Sequence, residues 1–143
     1  MEIKQLSVFL ENKQGRLYSV LNVLAENKLN IRALSLADTS DFAILRLVIN
    51  DPDKGLEILK ENNFIVKMST SIAVELNDTP GGLSSVLKIL KENNIDLEYL
   101  YAFTHDPSET AMLLIHTEDL EKTQKVFIDN GVKLVKAETV YNL

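Results

Sequence analysis

The chain repeats itself, and the repeat limits the fold more than any other feature. Shifted by 66 residues, Leu6, Val8 and Leu10 fall on Ile72, Val74 and Leu76, Gly15 falls on Gly81, and Leu17 falls on Leu83. Ser19, Val20, Leu21 and Leu24 fall on Ser85, Val86, Leu87 and Leu90, and Glu26 and Asn27 on Glu92 and Asn93. From Gly15 to Ala37, nine of 23 positions are identical, too many for unrelated segments of one chain. A two-residue insertion around Asp106–Glu109 then moves the offset to 68, pairing Ala43 with Ala111, Leu45 with Leu113 and Asp51 with Asp119. Units of about 65–70 residues are too long for solenoid repeats and suit a duplicated small domain. The expected domains are residues 1–69 and 70–143.

Periodicity within each unit gives the order strand, helix, strand, strand, helix, strand. Leu6, Val8 and Leu10 alternate with polar neighbours, as in a half-buried strand. Leu17, Val20, Leu21 and Leu24 recur at helical spacing. Ile31–Ala37 and Phe42–Ile49 flank the turn-rich Asp38-Thr39-Ser40-Asp41 and read as a hairpin. Asp51-Pro52 opens a second helix with Leu56, Ile58 and Leu59 on its buried side, and Phe64–Met68 is a last strand. The second unit follows suit: Ile72–Leu76, Leu83–Leu90, Ile95–Thr104, Ala111–His116 around Asp106-Pro107-Ser108, Leu120–Phe127 closed by Asn130-Gly131, and Val132–Val135. Ser69-Thr70-Ser71 is expected to be the whole connection between units. The fold class is α+β: two tandem ferredoxin-like βαββαβ units, each an antiparallel sheet with helices on one face. Such a fold hosts many functions, so the loops must decide among them.

Composition removes several classes. There is no Cys, which excludes disulfides, thiolate metal sites and a Cys nucleophile. No signal peptide or membrane-length apolar run is present, and a cytoplasmic location is expected. The net charge of −6, with charges interspersed, argues against nucleic acid as a partner. An RNA-binding βαββαβ domain would need strand aromatics on a basic surface, and only Phe9 and Phe42 are so placed. No nucleophile elbow, phosphate loop or dinucleotide fingerprint occurs, no carboxylate pair stands out, and no catalytic residue is assigned. His105 and His116 lack a second His or Cys at ligand spacing, so no metal and no cofactor is expected.

The informative loop joins the first strand and first helix of each unit. Asn12-Lys13-Gln14-Gly15-Arg16-Leu17 and Asp78-Thr79-Pro80-Gly81-Gly82-Leu83 each place a short polar residue three before a Gly, and a Leu two after it. Gly allows positive φ and close approach of a ligand to the backbone. The helix start offers unpaired N–H groups and the positive end of the dipole, suited to a carboxylate. A nearby Asn or Asp accepts hydrogen bonds from an ammonium group. An α-amino acid carries both groups. The plainer readings are that Gly15 and Gly81 serve a turn, that Asn12 and Asp78 cap the helices, and that Asn30 and Asp96 are turn residues.

On these loops, on the βαββαβ order, and on Asn30-Ile31 and Asp96-Leu97 opening the second strands, the chain resembles a stand-alone tandem ACT-domain protein over nearly its whole length. The second loop matches the family's Pro-Gly-x-aliphatic pattern with Pro80-Gly81-Gly82-Leu83; the first has Gln14 where the Pro would stand. The resemblance implies a non-enzymatic regulatory module that binds an amino acid where two ACT units pair, the loop of one facing the second strand of the other. One site would then combine Asn12, Gln14, Gly15, Arg16 and Leu17 with Asp96 and Leu97. The other would combine Asp78, Thr79, Gly81, Gly82 and Leu83 with Asn30 and Ile31. It also implies an enzyme or regulator of amino-acid metabolism as partner, with no membrane. A ligand-free protein-interaction module is the alternative. Tyr99, Tyr101 and Phe103 alternate on one strand where the first unit has Ala33, Ser35 and Ala37, a change that points to packing or a homodimer contact.

Overall fold

The computed structural model describes residues 2–11, 13–39, 41–103 and 110–143. Its elements run β1 (Ile3–Glu11), α1 (Arg16–Glu26), β2 (Ile31–Asp38), β3 (Phe42–Ile49), α2 (Pro52–Glu61), β4 (Ile65–Asn77), α3 (Gly82–Glu92), β5 (Leu97–Phe103), β6 (Thr110–Thr117), α4 (Leu120–Asp129), β7 (Lys133–Val135) and α5 (Ala137–Tyr141). The βαββαβ order therefore occurs twice. Two compact units contain them: Lys4–Ser69 with Tyr141–Leu143, and Thr70–Val140 with the residues up to Ile3.

In the N-terminal unit the strand order is β2-β3-β1-β4, with β1 and β2 both antiparallel to β3. Leu6 lies opposite Leu47 and Val8 opposite Leu45, so alternate residues of neighbouring strands meet on one face. All four are fully buried. Val20 and Leu24 of α1 and Ile58 and Leu59 of α2 join them in one apolar cluster, each such side chain contributing about 1.5–3 kcal/mol relative to exposure. In the C-terminal unit β5 and β4 both pair antiparallel with β6, and β7 adds to β4. Ile72, Val74, Leu113 and Ile115 meet Val86, Leu90 and Phe127 of α3 and α4 in the equivalent core.

The four long helices end alike. Asn27, Asn62, Asn93 and Asn130 donate their side-chain amides to the carbonyls four residues back, at 2.8 to 2.9 Å. The next residues, Lys28, Asn63, Asn94 and Gly131, take positive φ between 55° and 74°. The N–H that follows reaches back five residues, as from Leu29 to Leu24 and from Ile95 to Leu90. The second helices also start alike: Asp51 and Asp119 accept from the N–H of Lys54 and Lys122, as N-cap carboxylates do.

Two expectations need correction. Ser69-Thr70-Ser71 does join the units, but the strands expected at Phe64–Met68 and Ile72–Leu76 are not separate: the tripeptide lies inside β4, a single strand of 13 residues. The tripeptide is polar, but it has no Gly or Pro to break a strand and Thr favours one. The chain also continues past β7 into α5, a one-turn helix that periodicity cannot detect. Tyr101 is buried within the chain and Tyr99 stacks on His116 with ring centroids 4.8 Å apart, so part of the aromatic strand face is satisfied internally. The second hairpin turn (Asp106-Pro107-Ser108) and His105 lie outside the described residues.

Candidate functional site

Both glycine loops fold the same way. Gly15 (φ 86°, ψ −5°) and Gly81 (φ 87°, ψ −4°) precede α1 and α3 in the left-handed region, and no side chain of the described residues caps either helix. Arg16 N–H donates to the Lys13 carbonyl at 3.3 Å and Gly82 N–H to that of Thr79 at 3.0 Å. The first helical bonds, from Ser19 to Gly15 and from Ser85 to Gly81, close at 3.0 Å. Between them, the N–H groups of Leu17 and Tyr18, and of Leu83 and Ser84, find no acceptor among the described residues. The glycine carbonyls also accept hydroxyl bonds from Ser19 at 2.9 Å and from Ser85 at 2.8 Å. The capping role weighed for Asp78 is therefore not used: Asp78 is exposed and the cap is Gly81. Asn12 lies outside the described residues.

Space is available at both turns. Among the described residues, a Cβ on Gly15 would meet nothing within 4 Å, and one on Gly81 only Ser84 Oγ at 3.8 Å. Gly82 differs, because a Cβ there would collide with the Asn77 carbonyl oxygen. Position 82 is the counterpart of Arg16 and position 79 that of Lys13. The N-terminal loop thus carries two cations where the C-terminal loop has Thr79 and a glycine that has no room for a side chain.

Those cations, with Glu11, line a cavity of about 210 Å³ whose apolar wall includes Leu10, Leu36 and Ala43. Lys13 pairs with Glu11 at 2.8 Å. The hydrogen bond and charge of Lys13, with a smaller contribution from Arg16, hold the Glu11 carboxyl below its ordinary value. Arg16 lies over the Phe64 ring, 4.9 Å from its centroid, a cation–π contact. Its Nε is sealed from solvent and has no hydrogen-bond partner. Leu17 packs on the core while Gln14 is exposed. Lys13, Glu11, Leu36 and Ala43 were missed in the sequence because three separate strands and a loop supply them; the Glu11-x-Lys13 pair at a strand end was the available signal.

The second-strand starts sit elsewhere. Asn30 exchanges bonds with Asn50, its N–H to Asn50 Oδ1 at 2.9 Å and its carbonyl from Asn50 N–H at 3.1 Å. Ile31 packs on the core. Asp96 is exposed in the wall of a cleft of about 720 Å³, with His116, Glu118, Asp119 and Lys122; Leu97 is half-buried beside it. His116 Nδ1 lies 2.5 Å from the Thr70 carbonyl, which only accepts, so the proton sits on Nδ1. Its Nε2 is 3.1 Å from Glu98. Within each unit the glycine loop and the second-strand start lie at opposite ends of an 11-residue helix, about 16 Å apart at 1.5 Å per residue. Neither unit by itself brings its own two residue sets together. Among the described residues no group of three or more His, Asp or Glu is arranged to hold a metal ion.

Comparison with known proteins places this geometry in context. A family model described as an ACT domain pair matches residues 1–143. The fold superposes on the crystal structure of a protein from Bacteroides thetaiotaomicron with a TM-score of 0.93 and 38% identity, covering 100% of this chain and 98% of that one. The ligand-free regulatory subunit of aspartate kinase from Thermus thermophilus shares the fold at TM-score 0.60 and 13% identity, covering 88% of this chain and 90% of that one. The corresponding subunit from Thermus flavus does so at 0.63 and 16%, covering 87% and 88%. No curated protein matches the sequence.

Proposed function

The chain belongs to the ACT domain pair family, and from that premise we propose that it is a non-catalytic sensor that binds a free amino acid and regulates an enzyme or regulator of amino-acid metabolism. One observation carries the reading: two glycine-capped helices, each with first-turn N–H groups that find no acceptor, and with open space at the glycine, among the described residues. Such a helix start attracts a carboxylate through both its free donors and its dipole. The fold shared with regulatory subunits of aspartate kinase is in keeping with that role.

In this reading a site is completed by a second unit. The loop of Gln14, Gly15, Arg16 and Leu17 is joined by Asp96 and Leu97, and that of Thr79, Gly81, Gly82 and Leu83 by Asn30 and Ile31. Support comes from the distance within a unit, which keeps each loop from its own second strand. The exposed Asp96 carboxylate is free to accept from a ligand ammonium. A homodimer and a cytoplasmic setting belong to the same proposal; no helix of the described residues is long and apolar enough to cross a membrane.

A thermal-shift panel over the common amino acids tests it. Ligand at 100 times Kd stabilises by about 2.7 kcal/mol. With an unfolding entropy near 2.1 cal/mol/K per residue, that raises Tm by about 9 °C. Gly15→Val or Gly81→Val is expected to abolish the shift of the ligand held at that loop, whatever it does to the unliganded Tm. If no amino acid moves Tm, the sensor reading fails and the ligand-free interaction module replaces it.

A further inference from the structure

We propose that the N-terminal glycine loop is selective for an amino acid bearing a second carboxylate, and that Arg16 is the residue that selects it. This deepens the sensor reading and rests on it. The cavity at the start of α1, lined by Arg16 and Leu17, has an apolar wall and three charged groups, Glu11, Lys13 and Arg16. Glu11 and Lys13 neutralise each other through their 2.8 Å pair. Arg16 feels Glu11 only through a smaller, longer-range attraction; among the described residues no hydrogen bond or ion pair engages its guanidinium, and Nε is closed off from water as well. Its ring contact with Phe64 holds the group in place without satisfying any donor. A planar, always-charged fork of donors that finds no acceptor among the described residues is suited to a carboxylate, which it can grip bidentately.

An amino acid already offers one carboxylate to the free N–H groups of the helix start. A second, on the side chain, then finds Arg16 at the edge of the cavity. A neutral or aliphatic side chain would leave the guanidinium unpaired. A cationic one would face Arg16 with like charge. The attraction is local, because the whole chain carries a net charge of −6 and its overall field opposes an anion. The C-terminal loop has no such preference: Thr79 and Gly82 replace the two cations, and the Asn77 carbonyl keeps a side chain out of position 82.

Isothermal titration with L-glutamate, L-glutamine, L-aspartate, L-asparagine and L-leucine tests the assignment, because each acid and its amide are nearly isosteric. The expected result is that one of the two acids binds about ten- to a hundredfold tighter than its amide, as for hydrogen bonds to charged groups. Arg16→Gln removes that preference, Arg16→Lys retains part of it, and Lys60→Gln, which deletes an exposed cation of α2, leaves it intact. Equal affinity for acid and amide, or a preference that survives Arg16→Gln in a folded protein, overturns the proposal while leaving the sensor reading in place. Tighter binding of leucine or of an amide than of either acid does the same. Absence of binding by every amino acid overturns both.

Discussion

Replacing Gly82 by Ala sets two physical effects against each other, and the structure decides the sign. Gly82 is the first residue of α3, where backbone propensity favours Ala by up to about 1 kcal/mol. On propensity alone the variant gains stability. The added Cβ, however, would run into the carbonyl oxygen of Asn77 at the end of β4 and lie 3.4 Å from Leu76 Cδ1. A strand carbonyl cannot rotate aside as a side chain can, so the loop or the helix start must shift. Overpacking of this kind costs about 1–3 kcal/mol. The net expectation is a loss of about 1–2 kcal/mol. For 143 residues the unfolding entropy is about 0.3 kcal/mol/K, so Tm falls by about 3–7 °C. Differential scanning calorimetry of the two unliganded proteins measures it. A Tm equal to or above that of the parent would refute the reasoning. The Asn77 carbonyl would then yield at no cost, and the lack of a cation at the second loop would have no steric cause.

The buried Thr117–Thr123 pair predicts an asymmetry. Thr123 Oγ1 donates to the Asp119 carbonyl at 2.8 Å, so across the 2.6 Å pair Thr117 must be the donor. Thr123→Val leaves that donor buried and unmatched, at about 1–3 kcal/mol, whereas Thr117→Val removes only an input to an oxygen that keeps its own bond and costs less; urea denaturation of both variants ranks them. Glu11 is expected to titrate below the ordinary carboxylate range, chiefly through its hydrogen bond from Lys13. The pair is therefore intact at neutral pH and lost as pH falls through that lowered value; Lys13→Gln moves the carbon-13 titration midpoint of Glu11 upward.

Much of this was readable in the residues. The duplication, the two hairpins and the glycine turns rest on local signals: alternation, helical spacing and the φ that a glycine permits. The φ values of Gly15 and Gly81 agree within 1°, as an identical loop role requires. The merged strand was not readable, since Ser69-Thr70-Ser71 has the polarity of a linker and the backbone preference of a strand, and only pairing partners distinguish the two. The cavity beside Arg16 was not readable either. The sequence places Arg16 in the loop, but its lack of a hydrogen-bond partner depends on Glu11 pairing with Lys13 and on Phe64 lying against it, contacts between residues up to 48 positions apart.

The C-terminal residues have a practical consequence. Tyr141 belongs with the N-terminal unit, where its hydroxyl accepts from Lys4 N–H at 2.7 Å and its carbonyl from Arg32 Nε at 2.9 Å. A gene cut at the midpoint of the repeat would therefore not release two self-sufficient halves. The leading fragment would lose the tail that ties down its first and second strands, and the trailing one would lose the opening residues grouped with it. Anyone wishing to weigh one half against the other should inactivate a loop in the intact chain instead of severing it.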